Sequence, residues 1–350
     1  MPSPVAILAL ATAKAPYELP QREVAEVARR LFEDCFPQFD RMAGVFETAG
    51  VRTRQAVRPI EWYLQPRGWP ERTQAYLEGA TDMFVHAAQG ALDEAGLRGC
   101  DVDIVVTVSS TGIATPSLEA RVMTRLGLRP DIARVPVFGL GCAGGAAGLG
   151  IASRLARGSP GAVVLFVAVE VCTSAFRLQD VAKADIVATA LFGDGAAACI
   201  LRSGEDGFAQ VTGSAEHTWP NTLDIMGWNA NPDGLGVVFA RSIPSFVRSH
   251  LRPVMQEMLA RCGLEMDGVD RFVCHPGGMK VIDGLESSLS LGQGALDHER
   301  GVLADRGNMS APTVLHVLDR VRRDRMPDRS VLTALGPGFS ASAVALARAA

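Results

Sequence analysis

The sequence predicts a layered α/β fold made of two related halves, and three observations carry that prediction. Apolar, β-rich runs alternate with helical patterns along the chain, as in folds that stack helices on sheets. The strand candidates are continuous in Val, Ile and Ala without polar alternation, the pattern of strands covered on both faces. Two segments also recur in the same order. ALDEAGL (Ala91 to Leu97) leads to VDIVVTVSSTG (Val102 to Gly112), and MLARCGL (Met258 to Leu264) leads to VDRFVCHPGG (Val269 to Gly278). LFGDGAAACIL (Leu191 to Leu201) is echoed by ALGPGFSASAVAL (Ala334 to Leu346). The expected halves are residues 1–205 and 206–350. A chain of 350 residues exceeds one ordinary core and fits such a division.

The elements follow in order. Val5–Leu10 reads as a buried strand; MPSPVAILALATA lacks the basic n-region of a signal peptide. Helical patterns cover Gln21–Phe36 and Arg72–Ala95, and Gly96 ends the second as a left-handed cap. A short loop enters strand Val102–Val108, followed by helix Leu118–Leu126. The Gly-rich run FGLGCAGGAAGLG (Phe138 to Gly150) leads from the apolar VPVF stretch into an Ala/Gly-rich helix, Gly144–Arg157. Strand Ala162–Val169 is bounded by Pro160 and Glu170 and is too short to cross a bilayer. Strand Ala196–Leu201 closes the first half. The second half repeats the scheme with helix Ser245–Cys262, strand Arg271–Cys274, helix Ala311–Arg325 and strand Ser330–Leu335. The cluster RVRRDR (Arg320 to Arg325) reads as a solvated helix end.

Composition narrows the function. With 48% hydrophobic and 21% charged residues, the chain is globular rather than disordered. A net charge of -4 argues against nucleic acid as partner, since phosphate binding needs dense Lys and Arg. The seven Cys (Cys35, Cys100, Cys142, Cys172, Cys199, Cys262, Cys274) are odd in number and form no CxxC pair. That argues against a disulfide framework and against a structural zinc site. A cytoplasmic protein with no membrane span is expected.

Three residues stand out as reactive candidates. Cys142 sits between glycines at a strand-to-helix turn. Small neighbours there permit a sharp turn and close substrate approach, and a helix N-terminus stabilises a thiolate. The alternative is a small side chain packing in a Gly-rich helix contact. His275 lies at the C-terminal end of a strand, where sites form in α/β sheets, in a loop corresponding to Ser110 and Thr111 of the first half. A loop His bonded locally is the alternative. Asn308, in DRGNMSAPTV, is either a helix N-cap or an amide donor for an oxyanion. Together they make a possible nucleophile, base and oxyanion-donor set. GxSxG, HExxH and P-loop signatures are absent from the sequence.

GCAGG around Cys142, ALFGDGAAA (Ala190 to Ala198), CHPGG with His275, RGNMS with Asn308 and GPG (Gly336 to Gly338), in this order, resemble the type III polyketide synthases, the chalcone-synthase-like condensing enzymes of the thiolase fold. The resemblance spans nearly the whole chain and implies an αβαβα fold of two duplicated halves. It also implies a mechanism. Cys142 takes an acyl group from an acyl-CoA starter, and His275 holds its thiolate as an ion pair. His275 and Asn308 polarise malonyl-CoA for decarboxylation, and the enolate extends the chain by two carbons. Phe192 matches an aromatic gate, and a second gate position falls on Val237. The cavity floor falls on Ala175, beside Cys172. Trp228 replaces a Gly of the plant enzymes and is expected to fill space elsewhere. Ser110, Thr111, Thr115, Ser310 and Pro337 complete the implied cavity. Arg52 and Arg54 match the basic tunnel mouth for CoA, with Gly277 and Gly278. The smaller walls at Val237 and Ala175, and MGWNANPDG, resemble bacterial members that make alkylpyrones or alkylresorcinols from fatty acyl-CoA. The family implies malonyl-CoA and acyl-CoA as substrates, no resident cofactor or metal, and a homodimer with a residue near Thr115 reaching the partner's cavity. The alternatives are a ketoacyl synthase III-like single condensation with an acyl carrier protein, a non-catalytic thiolase-fold partner subunit and a thioester hydrolase.

Overall fold

The computed structural model describes residues 4–33, 36–176, 182–231 and 234–349. Cys35, together with Pro232 and Asp233 of the MGWNANPDG motif, lies outside them. Nine strands form one mixed sheet in the order Arg271–Cys274, Arg329–Gly336, Ser340–Arg348, Ala209–Thr218, Val5–Lys14, Asp194–Ser203, Val164–Val171, Ile104–Val108, Ala133–Val137. Val5–Lys14 and Ala209–Thr218 meet antiparallel at the centre, with Val5 opposite Val211. Outward from that pair each side runs antiparallel, antiparallel, then parallel. The parallel strands Ile104–Val108 and Arg271–Cys274 therefore hold matching places, and they are the two that follow the Val-Asp repeats.

Continuous apolar runs become fully covered strands. Every residue of Val164–Val171 and of Ile104–Val108 is buried. At about 1.5–3 kcal/mol for each large apolar side chain buried, these strands anchor the first half. Helix Trp69–Ala95 covers the outer face of the strands Val5–Lys14, Asp194–Ser203 and Val164–Val171. Helices Ile243–Arg261 and Met279–Leu289 pack on one another in the second half. Helix Gly144–Gly158 lies in the middle and touches strands of both halves, as does Thr313–Arg325. The Ala/Gly composition of the first follows from that position. A Cβ on Gly145 would stand 2.2 Å from the carbonyl oxygen of Ala311, so any side chain there would separate the two halves.

Several boundaries differ from the sequence expectation. Helix Gln21–Phe36 stops at Phe32. The strand expected from Val102 begins at Ile104, because Gly99–Asp101 forms a short 3-10 turn and the Asp103 carboxylate accepts from the Val163 N–H at 2.9 Å. Helix Trp69–Ala95 starts a turn earlier than Arg72: the Glu71 carboxylate accepts from Gly68 N–H at 2.9 Å, closing the N-terminus. The last helix starts at Thr313 rather than Ala311, since Ser310 is left-handed at φ 58°. Strand Ala209–Thr218 and the hairpin Met226–Asn231/Gly234–Phe239 were not expected. Their mixed polar sequences lack the apolar signal of the inner strands. Among the described residues no helix is long and apolar enough to cross a membrane.

Candidate active site

Cys142 sits in the 3-10 turn Gly141–Ala143 that enters helix Gly144–Gly158. Gly141 adopts φ +47°, and a Cβ there would strike the ring of Pro337 at 2.7 Å. Only a glycine lets the chain turn under Pro337 and raise the next side chain into the pocket. Ser110 fixes the same loop: its hydroxyl accepts from the N–H groups of Gly139 (3.1 Å) and Gly141 (3.2 Å). The thiol is buried. Burial pushes it up to about 11, a rise that hydrogen bonds from Ser310 and Asn308 oppose and the nearby Glu170 carboxylate reinforces.

His275 follows strand Arg271–Cys274, and its main-chain N–H donates to Thr333 O at 2.8 Å. Its ring is buried, and neither ring nitrogen has a hydrogen-bond partner among the described residues. Burial brings the imidazole down to about 3. Burial thus raises the thiol and lowers the imidazole, and both shifts work against the ion pair implied by the resemblance. Asn308 is fully buried, and its main chain is bonded to the segment around Phe192: Asn308 N–H donates to Leu191 O (2.8 Å) and Gly193 N–H to Asn308 O (3.0 Å). Its side-chain oxygen accepts from Ser310 N–H at 2.8 Å, and its amide nitrogen donates a long 3.3 Å bond to Gly277 O. The local turn bond and the pocket-facing amide thus coexist in one residue. Cys142, His275, Asn308 and Gly277 line a single pocket of about 420 Å³, closed by Met226, Phe239 and Leu335.

Phe239, Gly277 and Val281 also line a larger cleft of about 1160 Å³. Gly278 and three cations, Lys183, Arg241 and Lys280, stand around that cleft. The sequence reading missed these cations. It named Arg52 and Arg54 instead, and neither lines the cleft. Arg54 is buried and donates to the carbonyls of Thr189 (2.5 Å), Ala190 (3.0 Å) and Phe192 (3.2 Å), closing the end of helix Lys183–Leu191. Arg52 is exposed and paired with Asp305 at 2.5 Å.

A third, mostly apolar pocket of about 570 Å³ is lined by Cys172, Ala175 and Phe192 together with Val24, Ala28, Ile60 and Tyr63. Phe192 pairs through its main chain with Asn308, which lines the pocket around Cys142. Two expectations are corrected by the hairpin. It presents Met226 and Phe239, not Val237, to the pocket around Cys142. Trp228, opposite Val237 in the hairpin, packs on Phe192, the rings 6.4 Å apart. Thr111 lies beside the site: its N–H and hydroxyl donate to Glu170 at 3.0 and 2.7 Å. Glu170 was read only as the end of an apolar run, yet it is a fully buried carboxylate raised to about 7 by burial. Its interruption of an otherwise apolar strand was the available signal. Thr115 is exposed, next to Ile113, which is 59% exposed; Phe138 is 61% exposed, and Ile113 and Phe138 line one groove. Among the described residues no group of three or more His, Cys, Asp or Glu is placed to hold a metal ion.

Comparison with known proteins matches residues 67–205 to the family model "Chalcone and stilbene synthases, N-terminal domain" and residues 210–347 to its C-terminal counterpart. A 1,3,6,8-tetrahydroxynaphthalene synthase of Streptomyces peucetius subsp. caesius is 39% identical over 97% of this chain and 92% of its own length. The alpha-pyrone synthesis polyketide synthase-like Pks18 of Mycobacterium tuberculosis is 29% identical over 97% of this chain and 90% of its own. The crystal structure of the tetrahydroxynaphthalene synthase of Streptomyces coelicolor A3(2), a bacterial type III polyketide synthase, superposes with a TM-score of 0.93 at 28% identity, covering 99% of both chains.

Proposed function

Because this chain belongs to the chalcone and stilbene synthase family, the type III polyketide synthases, enzymes of decarboxylative condensation, we propose that Cys142, His275 and Asn308 extend a fatty acyl starter with malonyl-CoA. One observation carries the assignment: a buried thiol, an imidazole with two unpartnered nitrogens and a side-chain amide share one pocket that adjoins a cleft rimmed by cations. Cys142 Sγ attacks the starter thioester; its proton passes to a ring nitrogen of His275 and from there to the departing CoA sulfur. When malonyl-CoA follows, loss of CO2 leaves an electron pair on the α-carbon that delocalises onto the thioester oxygen. A ring N–H of His275 and the Asn308 amide are the donors for that oxyanion. The enolate carbon then attacks the Cys142 thioester and the sulfur leaves. A dry, apolar pocket favours the step, because it stabilises neutral CO2 over the carboxylate it replaces. Lys183, Arg241 and Lys280 hold the CoA phosphates at the rim, with Gly277 and Gly278 bordering the pantetheine arm.

The pocket beyond Phe192 takes the acyl tail. Ala175 and Cys172 leave it open, and its apolar lining suits a hydrocarbon chain. Cyclisation then yields an alkylpyrone or alkylresorcinol. No metal or other resident cofactor is required by these steps. The working unit is a homodimer: exposed Ile113 and Phe138 around the Thr115 loop form the apolar face that a second copy covers. The identity to a tetrahydroxynaphthalene synthase favours a second reading, in which malonyl units alone build an aromatic product. Mass spectrometry of products from malonyl-CoA with starters from acetyl- to stearoyl-CoA, beside Cys142→Ala, separates the two. Alkylpyrones or alkylresorcinols that peak with long starters and vanish in the variant are the expected outcome. An aromatic product from malonyl-CoA alone selects the second reading, and no condensation product from any combination overturns both.

A further inference from the structure

The wall of the tail pocket is fixed from outside the pocket. The short turn Cys172–Ala175 contributes Cys172, Thr173 and Ala175 to it. Asp194, fully buried at the start of the strand behind the gate, binds that turn at several points. Its Oδ1 accepts from the main-chain N–H of Thr173 at 2.8 Å, and its Oδ2 accepts from the Thr173 hydroxyl at 2.6 Å. Oδ2 also accepts from Val57 N–H at 2.8 Å, tying in the segment that follows strand Thr53–Ala56. The single hydroxyl proton of Thr173 is spent on Asp194, so in the 2.7 Å bond between Tyr63 and Thr173 the tyrosine donates. Tyr63 lines the same pocket and meets Phe176 edge-on, ring centroids 6.0 Å apart. The chain ends on an acceptor-only carboxylate that takes the Thr173 proton, so Tyr63–Thr173–Asp194 runs in one direction.

We propose that Asp194 is a positioning residue for starter length: through Thr173 and Tyr63 it sets where the tail pocket ends. This rests on the reading of that pocket as the acyl site. Thr173→Val removes the hydroxyl at nearly constant volume, so it releases Tyr63 and one of the two bonds between the turn and Asp194, whereas Thr173→Ser keeps the link. Asp194→Asn turns one acceptor into an N–H2 facing an N–H donor.

The test measures binding in the Cys142→Ala background, by calorimetry, with hexanoyl-CoA and myristoyl-CoA. The parent is expected to prefer the longer thioester. Thr173→Val should cut that preference about fivefold, the worth of one lost hydrogen bond. Thr173→Ser should retain it within about twofold, and Asp194→Asn should act in the same sense as Val. If Asp194→Asn fails to fold, the Thr173 pair decides. Equal affinities in the parent, or an unchanged preference in Thr173→Val, would overturn the proposal. Condensation is not needed for this readout. A shifted preference in a protein that makes no polyketide would sink the proposed function and leave Asp194 in its role; long-chain products with an unchanged preference would do the reverse.

Discussion

Glu170 illustrates how much one buried side chain can tell. It accepts from Ser110 N–H, Thr111 N–H, the Thr111 hydroxyl and, at 3.4 Å, the Ser109 hydroxyl through one oxygen, while the other is buried without a partner among the described residues. Desolvation wins over the four donors and raises the group from 4.5 to about 7. A folded-state value above the unfolded one means that the folded chain binds the proton more tightly. The resulting stability is fully present below about pH 4.5 and is lost as pH rises through about 7, worth about 3 kcal/mol across the interval. Urea melts from about pH 5 to about pH 8 should show stability falling with pH, and falling less steeply in Glu170→Gln. A slope that is the same in both would show that Glu170 is ionised throughout. The same scale explains what the sequence misled about. Arg54 looked like a surface cation because nothing in GVRTRQ reveals the three carbonyls at the end of helix Lys183–Leu191 that receive it. Lys183, Arg241 and Lys280 come from three distant segments, and each alone reads as an ordinary solvated charge.

At the scale of elements, helix Gly144–Gly158, which follows Cys142, is tightly constrained. Gly145 faces the Ala311 carbonyl and Gly148 the Phe166 ring, where an added Cβ would lie 2.6 Å away. Gly145→Ala should therefore destabilise by about 3 kcal/mol, more than a surface Gly→Ala exchange that gains helix propensity. A melting temperature equal to or above that of the unmodified chain would show that the halves can separate to admit the methyl. Elements of this kind were legible. The apolar strands, the Gly96 and Gly263 helix stops and the strand-end position of His275 follow from local chemistry that depends little on the rest of the chain. Cys142, His275 and Asn308 were legible for the same reason, since glycine and proline mark their turns. The hairpin Met226–Phe239 was not. Its strands are half-exposed and carry Asn and Gly, and they exist because Trp69 donates its indole N–H to Asn231 O at 2.9 Å and Trp228 leans on Phe192. Those are tertiary contacts that no local pattern encodes.

For the whole molecule, the groove holding Ile113 and Phe138 sets the next expectation. Two large apolar side chains about 60% exposed beside one another are unusual for a free surface. Light scattering should give twice the chain mass, and Ile113→Asp combined with Phe138→Asp should give the chain mass itself. A monomer before substitution would leave the Thr115 loop without a second copy to reach. The layout also divides labour. The candidate residues His275 and Asn308 have main chains bonded to Thr333, Leu191 and Gly193. The walls of the two pockets come from other pieces, the turn Cys172–Ala175 and the hairpin over the pocket. On the proposed function, selection can rewrite what such an enzyme makes by editing the turn and the hairpin alone, while the bond-forming step is inherited unchanged from one descendant to the next.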